Sequence, residues 1–321
     1  SPMTTPITHA LGALLFAMTG CSRVAVALAP DKEARASNSA TTARANRAFH
    51  SALSAGQYDT IPSVLHELTA AYLENPHHPE TAANLAFAHM WRVTESARLD
   101  ELPPTITDHL VLARKYFAEA SRLAPDDARL RGFHGSVQLA EGTVHDDEKL
   151  VRKGYFELTA SIRAWPEFNL FTAGYTLSRL PHYDSKFEDA LEYQWKTLER
   201  CSGTKIDRDN PDYTFALAQE SLEGDKRACW NSPVVPHNFE GFFLNMGDML
   251  VKAGAPETAK TIYANARLSK TYDDWPYREL LEERIRNADA NVLTFRYPSA
   301  GAKTETVMVT STFACVACHQ R

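Results

Sequence analysis

Apolar residues along this chain fall three and four positions apart over long stretches, and glycine or proline breaks the stretches. Ala113, Phe117 and Ala120 form one such stripe before Pro125, and Gly154, Leu158 and Ser161 form another before Pro166. A stripe of this kind puts its side chains on one helix face. The body from about Thr41 to Asn287 is therefore expected to be all-α and built of helical hairpins. The clearest unit runs from Phe239 to Leu268, where Gly247 and Gly254 stand seven apart and Ala259, Tyr263 and Ala266 follow. Small residues at Gly247 and Ala259 let two antiparallel helices approach closely, and Tyr263 is expected to fill the space beside them.

This spacing resembles the tetratricopeptide repeat, and it recurs in worn form. Gly135 and Gly142 repeat the glycine pair, Phe49, Gly56 and Tyr58 open a first unit, and Phe187 and Ala190 sit in a fourth. The units fall at about 42–76, 77–125, 127–166, 167–201 and 237–271, with a capping helix near Trp275 to Ala288. Pro125 and Pro166 are 41 apart, longer than the usual repeat of about 34. Arg98 to Pro104 and Thr143 to Asp147 read as loop insertions. The resemblance implies a solenoid that stacks into a right-handed superhelix with a concave, protein-contacting face; a generic helical-hairpin solenoid is the blander reading.

Five segments follow: an apolar N-terminal segment and linker (1–40), four repeats (41–202), an irregular insertion (203–236), a last repeat with its cap (237–290) and a tail (291–321). Within the insertion, turns flank a short helix near Tyr213 to Leu222. In the tail, Val292 to Tyr297 and Thr304 to Thr312 alternate β-branched with polar residues, which predicts a small β-hairpin.

Charge narrows the function classes. With 34 Lys and Arg against 40 Asp and Glu, the net charge is −6 and no basic cluster stands out, so nucleic acid is not an expected partner. Paired carboxylates, a nucleophile with its base and a phosphate-cradling glycine loop are all lacking at usable spacing, which argues against an enzyme. Glu240, Asp248 and Glu257 read as helix-end and surface charges. Ala10 to Met18 is an apolar run before Cys21. It resembles a bacterial lipoprotein signal ending at a lipidated cysteine, although no Lys or Arg precedes it. A retained segment docking on this fold or on a neighbouring subunit is the other reading, and membrane contact is expected only through this stretch.

The most specific chemistry lies at the other end. Cys315-Val316-Ala317-Cys318-His319 spells C-x-x-C-H, which resembles the haem-attachment motif of c-type cytochromes. The resemblance implies one covalent haem, with Cys315 and Cys318 as thioether links and His319 as the proximal iron ligand. A thioredoxin-like redox pair lacks the strand and helix it needs, zinc lacks a second ligand cluster, and a disulfide within the motif would constrain little. For the distal position the candidates are His237 and Met246, with Met249, His109, His134, His145 and His182 behind them. His77-His78 between two prolines reads as a solvated turn. Covalent haem is attached outside the cytoplasm, where disulfides persist, so Cys201 and Cys229 are expected to close a loop, against two unconnected thiols. The sequence therefore leads to an exported, mono-haem electron-transfer protein in the periplasm, at the outer-membrane surface or secreted. Its partners would be other proteins or copies of itself, up to a filament. The alternatives are a binding scaffold in which the haem is structural or a sensor and, more weakly, a peroxidase-like enzyme.

Overall fold

The computed structural model describes residues 22–214, 223–229, 238–298 and 306–320. The chain divides into a unit up to Glu33 and a unit from Ala34 to Arg321. In the first, residues 22–27 are helical. The apolar run before it, with Cys21, lies outside the described residues.

The second unit is all-α, with no strand among its described residues. Its helices are α1 (Ala40–Ser54), α2 (Ile61–Glu74), α3 (Pro79–Thr94), α4 (Asp108–Leu123), α5 (Ala128–Val144), α6 (Glu148–Ala164), α7 (Pro166–Leu177) and α8 (Ser185–Ser202). After the insertion come α9 (Phe239–Ala253), α10 (Pro256–Ala264), α11 (Arg278–Arg286), α12 (Ala288–Arg296) and the short α13 (Val316–His319).

Local chemistry fixes where most of these begin. The side chains of Ser39, Asp127, Asp147, Asp184 and Asn238 each accept a backbone N–H from the first turn of the helix that follows. Proline opens α2, α3, α7 and α10 within the first two positions. Gly203 and Gly254 end α8 and α9 at φ of 74° and 90°.

Consecutive helices pack as hairpins, and α1 with α3, as well as α5 with α7, touch across an intervening helix. The α5–α6 crossing is the tightest. A Cβ on Gly135 would stand 2.6 Å from the Leu158 backbone nitrogen, and one on Gly154 would stand 2.5 Å from that of Leu139. Only hydrogen fits at these positions, so the glycine stripe read in the sequence is a backbone contact. In the last hairpin a Cβ on Gly247 would meet the Tyr263 ring at 2.2 Å, as the sequence predicts. Phe49, Phe87, Phe133 and Phe168 join α1, α3, α5 and α7 in an unbroken chain of ring contacts.

Three expectations are corrected. Val292 to Arg296 belongs to helix α12, not to a β-hairpin, and residues 306–312 hold only a 3-10 turn over Met308–Thr310. The reason is tertiary: α12 buries Ala288 and Phe295 seven residues apart, and Arg296 donates to the carbonyls of Lys252 and Ala253 at the end of α9. The single capping helix is in fact two, α11 and α12. Helix α5 extends through Val144, so the break before α6 is confined to residues 145–147. The predicted helix near Tyr213 to Leu222 lies mostly outside the described residues. No described helix is long and apolar enough to cross a membrane.

Candidate cofactor site

The tail is threaded back through the helices at several points. Asp248, wholly buried on α9, accepts from the Tyr263 hydroxyl at 2.6 Å and from the Met308 N–H at 3.0 Å, and its carboxylate faces Arg284. Arg284 in turn donates to the Thr306 carbonyl. Glu240 is also buried and accepts from Thr271. The surface reading of Asp248 and Glu240 is thus overturned, because each carboxylate answers donors brought from later in the chain. Glu257 is exposed and pairs with Lys260.

The C-x-x-C-H segment then forms α13 and is held from three sides. Glu95, just past α3, accepts the N–H groups of Cys315 at 2.8 Å and Val316 at 3.1 Å, so its carboxylate caps the short helix. Asn238 donates its N–H to the Cys318 carbonyl and its side-chain amide to the carbonyls of Ala317 and Gln320. The Trp275 indole donates to the Ala317 carbonyl at 3.1 Å. Val316 and Gln320 also lie against Gly56, at the turn after α1.

Cys315, Cys318 and His319 face one cavity of about 1000 Å³. Its walls are the inner faces of α1, α3, α5 and α7, and tail residues from Val309 to His319 close one side. Burial, and then the nearby Glu240 carboxylate, push the Cys318 thiol up to about 12. Burial, followed by Glu95, also raises Cys315 well above the usual thiol range, with the Thr94 hydroxyl acting weakly in the other direction. Both sulfurs are therefore held neutral, and they are not joined to each other. Burial is also the leading cause that raises Glu95, opposed by Arg98 and by the two N–H groups it accepts.

The predicted distal ligands fall differently. His237 lies outside the described residues, although its neighbour Asn238 is bound to the motif. Met246 is fully buried in α9 and does not face the cavity, and neither does Met249. His109 shares a 2.9 Å contact with His89, His134 binds Glu157, and His182 packs on Tyr183 and Tyr297. None of these three lines the cavity. The residues that do, unnoticed in the sequence, are Met90 on α3 and His50 on α1. Their helical register, on the same faces as Phe87 and Leu53, is the signal that could have found them.

Cys201 and Cys229 form a disulfide with Cα atoms 5.6 Å apart, which agrees with the pairing read from the sequence. The bridge lies beside Phe168 and Phe171, whose rings also line the cavity. Among the described residues no group of three or more His, Cys, Asp or Glu side chains is arranged to hold a metal ion on its own. Compared with family models, with curated proteins and with solved structures, the chain finds no match, so its function rests on the chemistry of this site.

Proposed function

We propose that the chain is an exported mono-haem c-type cytochrome on a tetratricopeptide-like scaffold, passing electrons through contacts with partner proteins or with copies of itself. One observation carries the reading: all three chemical residues of the motif face a single cavity bounded by the chain's own helices. Its volume stands at the upper end of the range, about 300–1,000 Å³, typical of cofactor and ligand sites. The Phe49, Phe87, Phe133 and Phe168 walls suit an apolar plate.

The residues present fit a haem. Cys315 and Cys318 would hold it through thioethers, which are neutral, and the site already favours neutral sulfur. Zinc or a redox-active pair would call for thiolate, which burial and then the acidic neighbours Glu95 and Glu240 oppose. His319 would be the proximal ligand, and Met90 or His50 could answer it from the wall. A haem bound there supplies a one-electron redox couple. Glu95, Asn238 and Trp275 fix the motif's backbone.

The scaffold reading is supported by consecutive helices packed as hairpins and by the ring contacts that link α1, α3, α5 and α7 across the helices between them, the stacking that a repeat solenoid uses. A second reading, in which the haem is structural or a sensor, draws on the motif's many hydrogen bonds into the body, which would make the group part of the core. The test is the absorption spectrum and intact mass of protein exported with haem-attachment machinery. One covalent haem with six-coordinate low-spin bands is the expected result. An open five-coordinate iron that binds CO would favour the sensor or a peroxidase-like enzyme, and protein with no haem band or mass increment would sink the proposal.

A further inference from the structure

The cavity wall carries a group that the haem-attachment chemistry leaves unused. Arg179 follows α7 and lines the cavity. It donates from Nη2 to the Thr143 hydroxyl at 3.2 Å, and no carboxylate of the described residues pairs with it. The other arginine lining the cavity, Arg129, is different, because both its Nε and Nη2 are taken by Asp127 at 2.9 and 2.6 Å. Of the acidic residues at the cavity, Asp127 is thereby occupied and Glu80 is exposed at the rim. Arg179 is half-buried, and burial alone lowers its proton affinity, a cost that no counter-charge of the described residues beside it offsets.

Helix α7, just before Arg179, presents two further unanswered groups. The Tyr175 Oη and Thr172 Oγ1 atoms are out of solvent contact, have no hydrogen-bond partner and belong to residues lining the cavity. Two orphaned hydroxyls on α7 and an arginine without a carboxylate just past its end, on a wall that is otherwise largely aromatic, give this side of the cavity polar groups free to receive an anion.

We propose that Arg179 is the carboxylate anchor of this cavity, pairing its guanidinium with the acid group of a ligand whose apolar body lies against the phenylalanine wall. A guanidinium matches a carboxylate through two parallel N–H···O bonds, which gives orientation as well as strength. Two ligands carry this chemistry: the propionate of a covalently attached haem, and a free long-chain carboxylic acid. The first source rests on the reading above; the second does not.

The test uses the full chain in two forms, with Arg179→Gln and the charge-keeping Arg179→Lys in each. In protein expressed without haem attachment, the probe is cis-parinaric acid, a fluorescent fatty acid, with its methyl ester as control. A free-acid site predicts that the acid binds and the ester does not, that Arg179→Gln weakens the acid about tenfold or more, and that Arg179→Lys restores part of it. In haem-loaded protein, the readout is the pH dependence of the reduction potential. A propionate held ionised by Arg179 titrates higher once the guanidinium is removed, so Arg179→Gln shifts the pH at which the potential changes slope. Either result supports the anchor and identifies its ligand. If acid and ester bind alike in every variant and the pH profile does not move, the proposal is overturned. If the protein carries no haem, the cytochrome reading fails on its own, and acid binding alone decides Arg179.

Discussion

Glu95 and Cys315 stand 220 positions apart in the chain and 2.8 Å apart in the fold, the carboxylate Oε1 accepting the cysteine's backbone N–H. The same oxygen accepts from Val316, so one side chain answers two donors at the start of α13. Glu95→Ala leaves both N–H groups without their acceptor and Arg98 with only the Gly56 carbonyl. The expected cost is about 2 kcal/mol or more, concentrated on the tail. Hydrogen exchange at residues 313–320 checks it, and unchanged protection there would contradict the capping role.

Gly241 touches the motif from the opposite side. A Cβ at this position would stand 2.7 Å from the Cys318 sulfur and 2.8 Å from the Ala317 carbonyl oxygen. Gly241→Ala is therefore expected to loosen the docked tail while α9, where alanine is favoured, persists. In haem-free protein the rate of Cys318 alkylation should rise severalfold with the helical circular dichroism unchanged.

Asp248 and Arg284 form a buried pair, each less than a tenth exposed. Asp248→Ala removes the acceptor for Tyr263 and Met308 and strands the guanidinium, for which about 3–5 kcal/mol is expected. Denaturant unfolding measures it. A loss below about 1 kcal/mol would mean that water replaces the carboxylate.

His89 makes stability depend on pH. Burial, and then His109, lower its imidazole from 6.5 to about 3. The unfolded chain thus takes up this proton first as pH falls. The stabilisation is complete above about pH 6.5 and is lost progressively down to about pH 3, at up to about 1.4 kcal/mol per pH unit for a single group. Thermal unfolding at pH 7, 5.5 and 4.5 should show the slope, and His89→Gln should flatten it.

The disulfide closes a loop of 28 residues between α8 and the end of the insertion. Opening it frees the unfolded chain by about 3 kcal/mol. Calorimetry with and without reductant tests this, using Cys201→Ser with Cys229→Ser as the matched variant.

What could be read from the sequence follows the range of the forces involved. Helical hairpins were legible because Gly135, Gly154 and Leu158 encode one contact within 24 residues, by spacing alone. The motif was legible because its chemistry is contiguous. The tail was misread because Val292 to Tyr297 carries β-branched and aromatic residues whose local preference is overruled by Phe295 packing in the core and Arg296 capping α9. Asp248 looked like a surface charge because its partners, Tyr263, Arg284 and Met308, are 15, 36 and 60 positions downstream. Nothing near Glu95 announces that it will hold residues 315 and 316, and the cavity composed of four helices has no signature in any one of them.

A stack of hairpins joined only to their neighbours can fray from either end, and its stability is close to a sum of local terms. Here the tail binds Asn238 and Gly241 beside the last hairpin and also Glu95 and Gly56 among the first. The line has become a loop. Opening either end now requires releasing the tail, so terminal fraying is coupled across the array. The Glu95 and Gly56 contacts that close it span more than 200 residues, and they are expected to form after the hairpins they join, since ordering so long a loop is repaid only by surfaces already in place.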